Sequence, residues 1–385
     1  HSTALPLHRV PQPDRLLEGL AEDGAQLSIV MQGPLLKTNL NDCALICRHW
    51  RQLFSQAEII FSVSSCDFLK SGNHISGLFP EDFVTTIAEF DTIKINSLKV
   101  LFDCADIIVK SRDEIPLPPI KNDTNSLNNI NLQIESARTG LEYVSRKYTL
   151  RIRSDLCFTT KKFIEIYKNN LFSPRGKYGV FSQKVLISET FTINPITLYK
   201  MPFHYSDWFH FGLSKDIKDL WECVKKISFS DSVYYQSNNF LKNTNLLEKR
   251  FLIRLACEQY IHFPYFKKSF PHLKLDYHND TKFVKESFYI MADNFIVANL
   301  RDMNAYIKKY QHIVRKMSKH TRIECMSQAI LDEIIEDPQN NIDKVFSKQT
   351  KISHDRMFWA HDRRTALFRR FIKKVNRFLA WYRSS

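Results

Sequence analysis

Residues 148–156 read Tyr-Thr-Leu-Arg-Ile-Arg-Ser-Asp-Leu, and this stretch constrains the fold more than any other. Alternate side chains of a strand lie on opposite faces, so Arg151, Arg153 and Asp155 share one face while apolar residues occupy the other. A buried guanidinium group needs a partner, because removing an unpaired charge from water costs on the order of several kcal/mol. The charged row therefore predicts either a polar ligand site or an edge strand with solvated arginines.

The residues after Asp155 favour a ligand site. A helical pattern begins at Thr160–Tyr167, so the carboxylate lies where a strand passes into a helix. Open α/β sheets bind their ligands at this edge, outside the carboxyl ends of the strands. The alternative is that Asp155 only caps the next helix.

Alternating strand and helix patterns surround this stretch. An apolar run at 27–31 stops at Gln32-Gly33-Pro34, as a buried parallel strand ending in a turn does. The other predicted elements are a helix at 41–54, a strand at 57–63, an irregular section before a strand at 106–109, a helix at 131–147, strands at 178–181 and 184–187, and helices at 214–224 and 248–261. This alternation predicts an α/β protein with a mostly parallel sheet flanked by helices and a helical C-terminal region.

Composition divides the chain into four parts. Residues 1–26 are rich in Ala, Leu, Pro and Gly, unlike the rest, and are expected to be a tag or an appended extension. Residues 27–265 hold the alternating strands and helices, and 266–343 are expected to be a mixed, mainly helical addition. Residues 344–385 carry 12 Lys and Arg against two Asp, a net charge of +10 out of the +14 of the whole chain.

The basic segment ends in the clearest helical pattern of the sequence. Between 368 and 382, aromatic and aliphatic residues fall on one face. The opposite face carries Arg369, Arg370, Lys373, Lys374 and Arg377. This pattern is typical of a helix that lies on an anionic membrane surface. The alternative is a helix that packs its aromatic face on the domain and leaves the basic face in solvent.

Missing motifs exclude several enzyme classes. The nine glycines form no Gly-x-Gly-x-x-Gly, no phosphate-binding loop and no Gly-x-Ser-x-Gly, so dinucleotide-binding, nucleoside-triphosphatase and α/β-hydrolase functions are unsupported. The eight cysteines are scattered without a Cys-x-x-Cys pair, which indicates free thiols in a reducing compartment. No apolar run reaches the length of a membrane span. A cytosolic protein, or one attached to a membrane from the cytosolic side, is expected.

A nucleotide-sugar site fits what remains. The predicted sheet lacks a glycine-rich turn, yet it presents Gln32-Gly33-Pro34 after its first strand and Ser154-Asp155 after a central one. The first turn is placed to hold a base or ribose, and the later carboxylate to meet the ribose or a divalent cation on the diphosphate.

Four blocks of the sequence resemble the WavE lipopolysaccharide synthesis family. They are Ser-Ile-Val-Met-Gln-Gly-Pro-Leu at 28–35, Asn-Leu-Gln-Ile-Glu-Ser-Ala-Arg-Thr-Gly-Leu at 131–141, Tyr-Thr-Leu-Arg-Ile-Arg-Ser-Asp at 148–155, and Ser-Asp-Trp-Phe-His-Phe-Gly-Leu at 206–213. The resemblance covers about residues 27–265. It implies a GT-A-like, Rossmann-type domain and a bacterial glycosyltransferase that builds surface polysaccharide, such as lipopolysaccharide core, O-antigen or capsule, from nucleotide-activated sugars.

The resemblance also implies roles for single residues. Asp155 is expected to contact the ribose of the donor or its metal. Asp207 is the candidate for orienting or deprotonating the acceptor hydroxyl, and Glu258 is the second candidate base. The expected nucleotide-sugar site consists of Gln32, Gly33, Pro34, Asn131, Gln133, Arg151, Arg153, Ser154 and Asp155.

Two departures from the family pattern bear on these roles. Leu132 stands where the family leads us to expect an arginine, and Arg153-Ser154-Asp155 replaces the usual Asp-x-Asp of metal-dependent GT-A enzymes. Use of Mn²⁺ or Mg²⁺ and a metal-independent reaction are therefore equally compatible with the sequence. The expected partners are a nucleotide-sugar donor, a glycan or lipid-linked glycan acceptor and the inner membrane surface.

Two other classes of function remain open at this point. The basic, aromatic C-terminal helix is compatible with a nucleic-acid-binding protein, although no nucleic-acid motif accompanies it. Leu132 and the missing Asp-x-Asp are compatible with a degenerate transferase domain that acts as a non-catalytic interaction protein.

Overall fold

A computed structural model of the chain describes residues 20, 22–67, 74–76, 90–196, 199–308 and 325–336. In chain order, the first part contains β1 (Leu27–Leu35), α1 (Leu40–Leu53), β2 (Glu58–Cys66), β3 (His74–Ser76), α2 (Thr92–Cys104), β4 (Ile107–Lys110), α3 (Ile130–Glu142), β5 (Tyr148–Arg153), β6 (Leu156–Phe158) and α4 (Lys162–Asn170). The predicted C-terminal helix at 344–385 lies outside the described residues.

The second part of the chain contains shorter elements. These are β7 (Val185–Ser188), β8 (Phe209–Leu213), α5 (Ser214–Glu222), α6 (Phe229–Ser232), α7 (Tyr234–Ser237), a 3₁₀ turn at Glu248–Arg250, α8 (Cys257–Ser269), α9 (Val284–Asn294), β9 (Phe295–Ala298), β10 (Ala305–Ile307) and α10 (Gln328–Glu336). Within the described helices, none is both long and apolar enough to cross a lipid bilayer.

Eight strands form one sheet in the order β3-β4-β2-β1-β5-β8-β7-β9. Strands β4, β2, β1 and β5 pair in parallel, β8 is antiparallel to both β5 and β7, and β7 pairs in parallel with β9. Six of the eight strands therefore point one way, and only β3 and β8 point the other. The predicted fold class, a mostly parallel α/β sheet flanked by helices, is confirmed.

Helices cover both faces of this sheet. One apolar cluster contains Trp50 of α1 and Tyr167 of α4 together with Leu150 and Ile152 of β5. The opposite cluster contains side chains from α3, α5, α8 and α9. Leu150 and Ile152 lie on the first face, so Arg151 between them points to the second, as the alternation in the sequence predicted.

Helix α3 packs very closely on the second face. A Cβ atom added at Gly140 would lie 2.6 Å from Val30 Cγ1 and 2.8 Å from Ser62 Cβ, so a larger residue would push the helix away from β1 and β2. The hydroxyl of Ser62 donates to the carbonyl oxygen of Ser136 in the same contact, at 2.6 Å. This contact fixes α3, whose N-terminal turns reach the carboxyl ends of the strands.

Three predicted elements differ from the structure. The section expected to be irregular contains α2, capped by Asp91, whose carboxylate accepts from the backbone N–H of Lys94 at 2.9 Å. Four of its thirteen residues, Thr92, Ile93, Ile95 and Val100, are β-branched, a type that favours strands, and they obscure the helical pattern. Residues 178–181 form no strand, because Asp293 and Asn294 of α9 accept their backbone N–H groups.

The predicted helix at 248–261 is divided in two. A 3₁₀ turn occupies Glu248–Arg250, and α8 begins only at Cys257. The side chain of Gln259 accepts from the backbone N–H of Ala256 at 2.9 Å and starts the helix there. Helix α8 then crosses the predicted boundary at 265, and β9, in the segment expected to be mainly helical, joins the main sheet.

Candidate functional site

The candidate site lies at the edge where the parallel strands end. The backbone N–H of Ser154, just after β5, donates to the carbonyl oxygen of Gln32 in β1 at 2.8 Å. Since β8 runs the opposite way and pairs Phe209 with Ile152, the residues that precede β8 reach the same edge. Asp207 is therefore brought to the end of β5, from a position more than fifty residues later in the chain.

Arg151 is fully buried beneath this edge. Its Nε donates to Gln32 Oε1 at 2.7 Å, Nη2 donates to the same oxygen, and Nη1 donates to the backbone carbonyl oxygen of Asp207. The guanidinium group lies 4.5 Å from the centre of the Trp221 ring of α5. Burial lowers the pKa of Arg151 to about 10, with the charge of Asp207 acting in the opposite direction, so the group stays protonated at neutral pH.

Two glutamines connect Arg151 to helix α3 and to Asp207. Gln32 Nε2 donates to the Gln133 carbonyl oxygen at 2.6 Å and to Ser136 Oγ at 2.7 Å. Gln133 Nε2 donates to Asp207 Oδ2 at 2.5 Å. The predicted site residues Gln32, Gln133, Arg151 and Asp207 thus form one hydrogen-bonded group, and the orientation of the Asp207 carboxylate is set by Gln133.

Arg153 and Asp155 face the solvent above this group. Arg153 Nε and Nη2 each donate to one oxygen of Asp155, both at 2.8 Å, with 32% of the arginine side chain and 38% of the aspartate side chain exposed. The guanidinium group also lies 5.4 Å from the centre of the Trp208 ring. Asp155 does not cap α4. It lines a small cavity of about 160 Å³ with Cys43, Ser154 and Lys308 among the neighbouring residues.

Gly33 and Ser154 bring β1 and β5 close together at the edge. A Cβ atom added at Gly33 would lie 2.0 Å from Ser154 Oγ and 3.0 Å from Ser154 Cβ, so a larger residue at this position would force the Ser154 side chain to move. Pro34 is exposed next to it, and its carbonyl oxygen accepts from Asn39 Nδ2 at 2.9 Å. Gly33 and Pro34 therefore present backbone at the surface of the predicted nucleotide site.

Asn131 lies apart from this group. Its Nδ2 donates to the carbonyl oxygen of Ile227 at 3.0 Å, and its Oδ1 accepts from the backbone N–H of Ile227 at 2.9 Å. The side chain is buried and fixes the loop after α5 to the start of α3. Leu132, at the position where an arginine was expected, is buried as well.

Glu258 in the first turn of α8 faces His204 across the site. The distance between Glu258 Oε2 and His204 Nε2 is 3.2 Å, and 18% of the glutamate side chain is exposed. Burial, and after it the charge of Asp207, raises the pKa of Glu258 to about 8. Burial lowers the pKa of His204 to about 4. The two candidate carboxylates of the sequence, Asp207 and Glu258, are thus electrostatic neighbours.

The oxygen atoms of Asp155 are the candidate ligands for a divalent cation. Both oxygens of Asp155 are held by Arg153, and the described residues contain no group of three or more His, Cys, Asp or Glu side chains that could hold a metal ion. Described residues alone therefore do not complete a site for Mn²⁺ or Mg²⁺. Metal use at Asp155 and its metal-independent alternative both stay predictions.

His204 is the site residue that sequence reasoning missed. The sequence places two histidines and a carboxylate among aromatic residues at 201–213, and this was the available signal. The pattern does not reveal that His204 meets Glu258, because the two residues lie on separate segments that only the fold brings together.

Comparison with known proteins identifies a family whose model matches most of the chain. The model of the WavE lipopolysaccharide synthesis family matches residues 103–352, which is 250 of the 385 residues. A search of curated proteins found no match.

Among solved structures, the chain is similar to glucosyl-3-phosphoglycerate synthase from Mycobacterium tuberculosis. The complex with Mn²⁺, uridine diphosphate and glucosyl-3-phosphoglycerate shares 16% identity at a TM-score of 0.26, over 55% of this chain and 64% of that one. The complex with phosphoglyceric acid shares 15% identity at a TM-score of 0.26, over 55% of this chain and 66% of that one. The chain thus spans less than two thirds of that synthase in either structure, and the fold described above is established by its own strand order.

Proposed function

Because the chain belongs to the WavE lipopolysaccharide synthesis family, we propose that it is a glycosyltransferase. It moves a sugar from a nucleotide-sugar donor onto a growing bacterial surface glycan, such as lipopolysaccharide core, O-antigen or capsule, at the cytoplasmic face of the inner membrane. The observation that carries this proposal is the layered arrangement at the strand ends, where an accessible arginine and carboxylate lie above a buried polar network.

The donor binds over Arg153 and Asp155. A guanidinium group offers parallel N–H donors that match the oxygens of a diphosphate, and Arg153 is the accessible arginine at the end of β5. Asp155 exchanges its contact with Arg153 for the ribose hydroxyls of the donor. Gly33 and Pro34 supply the backbone surface beside the nucleotide, while the Gln32 side chain is used by Arg151 and α3 and supports the site from below.

Asp207 serves as the base in the transfer step. Gln133 holds Asp207 Oδ2, and among the described residues no hydrogen bond is made to Oδ1, which is left to face the acceptor. The acceptor hydroxyl gives its proton to Asp207, its oxygen bonds to the anomeric carbon, and the bond from that carbon to the diphosphate oxygen breaks. The released nucleoside diphosphate carries the negative charge, which Arg153 offsets.

A panel of nucleotide sugars tests the proposal. Thermal unfolding is measured with uridine-, guanosine-, cytidine- and thymidine-linked sugars at high concentration, each with Mn²⁺ and with a chelator. A ligand at about 100 times its Kd stabilises the folded state by about 2.7 kcal/mol, so one nucleotide class is expected to raise the unfolding temperature clearly. If no nucleotide sugar shifts the transition with or without Mn²⁺, the transferase proposal is wrong.

The membrane location depends on residues outside the described ones. The basic face with Arg369, Arg370, Lys373, Lys374 and Arg377 supports attachment to anionic lipid. Binding to vesicles that contain anionic lipid is expected to weaken with salt and to disappear when residues 363–385 are deleted. Equally tight binding to RNA would argue for the nucleic-acid function instead.

A further inference from the structure

Phe191, in the turn that follows β7, is an exposed aromatic residue with a strained backbone. Its φ is 66°, and 37% of the residue is exposed to solvent. The backbone N–H of Thr192 donates to the carbonyl oxygen of Glu189 at 3.0 Å, so Phe191 is the third residue of a four-residue turn. A positive φ at this position suits glycine or asparagine, and a phenylalanine there carries a steric cost. Folding alone therefore does not explain an aromatic residue at this position.

The residues on either side of Phe191 hold the turn in this conformation. The backbone N–H of Glu189 donates to the carbonyl oxygen of Ala298 in β9 at 2.8 Å. Thr192 Oγ1 accepts from the backbone N–H of Ser206 at 3.0 Å. Only 7% of Glu189 and 0% of Thr192 are exposed. The turn thus buries its flanking side chains and presents the ring of Phe191 to solvent.

The same turn contacts the segment that leads to Asp207. His204 Nδ1 lies 3.0 Å from the carbonyl oxygen of Phe191. Phe203, directly before His204, also has a left-handed backbone, with φ 59°, and its N–H donates to Ser287 Oγ at 2.7 Å. Strained residues that the surroundings hold in place cluster at functional sites. Two such positions shape the segment that carries both the exposed ring and the proposed base.

The ring of Phe191 is joined to the candidate site through Trp208. The centres of the two rings are 5.4 Å apart, and the guanidinium group of Arg153 lies 5.4 Å from the centre of the Trp208 ring. Arg153 pairs in turn with Asp155. Asp207 directly precedes Trp208 in the chain. The four side chains from Phe191 to Asp155 therefore form one continuous row, and the proposed base is next to its middle.

The order of the strands places Phe191 on the side of the site away from the nucleotide. Gly33 and Pro34, the surface beside the nucleotide, belong to β1, which is one neighbour of β5. Phe191 follows β7, which lies on the other side of β5, beyond β8. A donor whose diphosphate is bound by Arg153 has its nucleoside toward β1, so its sugar and the acceptor lie toward β8 and β7. The exposed ring thus lies on the acceptor side.

A saccharide ring has the chemistry that this surface can bind. The carbon atoms of a pyranose each bear oxygen, so their C–H hydrogens are slightly positive, and several of them point to one face of the ring. The face of an aromatic ring is negative and attracts such hydrogens. Trp208 is 4% exposed and supports Phe191 from within the site, which leaves a face of the Phe191 ring accessible for stacking.

We propose that Phe191 is the platform on which a sugar ring of the acceptor stacks, so that the hydroxyl of this sugar is held at Asp207. The inference rests on the proposed transferase function and names what the site recognises in the acceptor, an uncharged pyranose with a C–H face. Phe191 binds and orients the acceptor and takes no part in the proton transfer. This role explains why an aromatic residue occupies a turn position that suits glycine.

Nuclear magnetic resonance tests the stacking without any need for turnover. Aromatic protons of the chain are saturated, and the transfer of saturation to methyl β-glucoside and methyl β-galactoside is measured. Transfer is expected to the C–H protons on one face of at least one of these sugars, to be lost in Phe191→Gly and to be retained in Phe191→Tyr. Glycine adopts φ 66° without a steric cost, so Phe191→Gly is expected to fold with an unfolding temperature close to that of the wild type.

The matched control is Phe172→Ala, which removes another exposed phenylalanine. Phe172 is 47% exposed and adjoins Ser173, whose hydroxyl accepts from Lys184 Nζ at 2.7 Å just before β7 begins, at the opposite edge of the sheet. This variant is expected to transfer saturation as the wild type does. A wild-type chain that transfers none to either sugar, or a folded Phe191→Gly chain that still transfers it, overturns the inference whether or not the chain is a transferase.

Kinetics show whether the stacked sugar is the acceptor. With the oligosaccharide released from lipopolysaccharide by mild acid as acceptor, Phe191→Gly is expected to raise the KM for the acceptor roughly tenfold and to leave the KM for the donor unchanged. Phe191→Tyr and Phe172→Ala should keep both values. An unchanged KM for the acceptor in Phe191→Gly, or a rise in the KM for the donor alone, overturns the inference. A wild-type chain that stacks the sugars but transfers none contradicts the transferase proposal instead.

Discussion

Arg151 and Arg153 lie on the same face of β5, two residues apart, and the structure uses them in opposite ways. Arg151 is fully buried and is held by Gln32, the backbone of Asp207 and the ring of Trp221. Arg153 lies two residues closer to the carboxyl end of the strand. It pairs with Asp155, and both side chains are partly exposed to solvent. Depth below the sheet edge therefore separates a buried arginine, which supports the candidate site, from one that is accessible to solvent.

The two environments have different energetic consequences. The acceptors around Arg151 are an amide and a backbone carbonyl oxygen, and each would be left buried without a donor if the arginine were removed. The Arg153–Asp155 pair is screened by solvent, and pairs of this kind contribute about 0–1 kcal/mol. We therefore expect stability to depend on Arg151 and activity to depend on Arg153 and Asp155.

Replacing each arginine by methionine is the most direct test of this difference between Arg151 and Arg153. Arg151→Met should lower the free energy of unfolding by about 3 kcal/mol or more, because two buried acceptors lose their donors. Arg153→Met is the matched control and should change it by less than about 1 kcal/mol. Denaturant titration of both variants measures this difference. Similar losses of stability in the two would show that depth does not divide their roles.

Asp155→Ala examines the solvent-facing region by itself. Sugar transfer is expected to fall about a hundredfold or more, because the ribose of the donor loses its charged hydrogen-bond partner, while the unfolding temperature changes little. Asp219→Ala removes a half-buried carboxylate that pairs with Lys215 on α5 and serves as the control for charge. Rates of transfer and thermal unfolding are measured together. An Asp155→Ala protein with wild-type rates would end the assignment of Asp155 to the donor.

Gly33→Ala tests the close contact between β1 and β5, where the buried and the solvent-facing regions meet. The added Cβ would lie 2.0 Å from Ser154 Oγ, and overpacking of this kind costs about 1–3 kcal/mol. Because the clash displaces the backbone that Gly33 presents beside the nucleotide, nucleotide binding is expected to weaken by roughly tenfold, a change in binding free energy of about 1.4 kcal/mol. The double variant Gly33→Ala with Ser154→Gly removes the atoms that clash and should recover most of the affinity in a binding titration. Failure of the second substitution to restore binding would mean that Gly33 is needed for another reason.

Local patterns were sufficient to predict a mostly parallel sheet and to name residues that the structure places at its strand ends. Alternation in β5 placed Arg151 on the face opposite Leu150. Asp155 was expected between a strand and a helix, but it lies in a turn between β5 and β6, and α4 begins only at Lys162. Two errors have local causes, since β-branched residues concealed α2 and side chains of α9 took the hydrogen bonds that a strand at 178–181 would have used.

The hydrogen-bonded connections could not be predicted from the sequence. Gln32 meets Gln133 about a hundred residues away, and His204 meets Glu258 across more than fifty. Such pairs depend on strand order and on the strained turn at Phe203, and neither leaves a periodic signal. The residue types were visible, but the partner that decides the role of each was not.

The antiparallel direction of β8 places both ends of the segment between β7 and β8 at the same end of the sheet. Strand β7 ends at the same rim where β8 begins, so the described residues 189–196 leave the sheet, and 199–208 return to it, at one place. Both ends of this segment are therefore attached to neighbouring strands of the sheet, and the segment contains both His204 and Asp207. Lengthening or shortening it would reshape the entrance for the incoming saccharide while every strand register stayed intact.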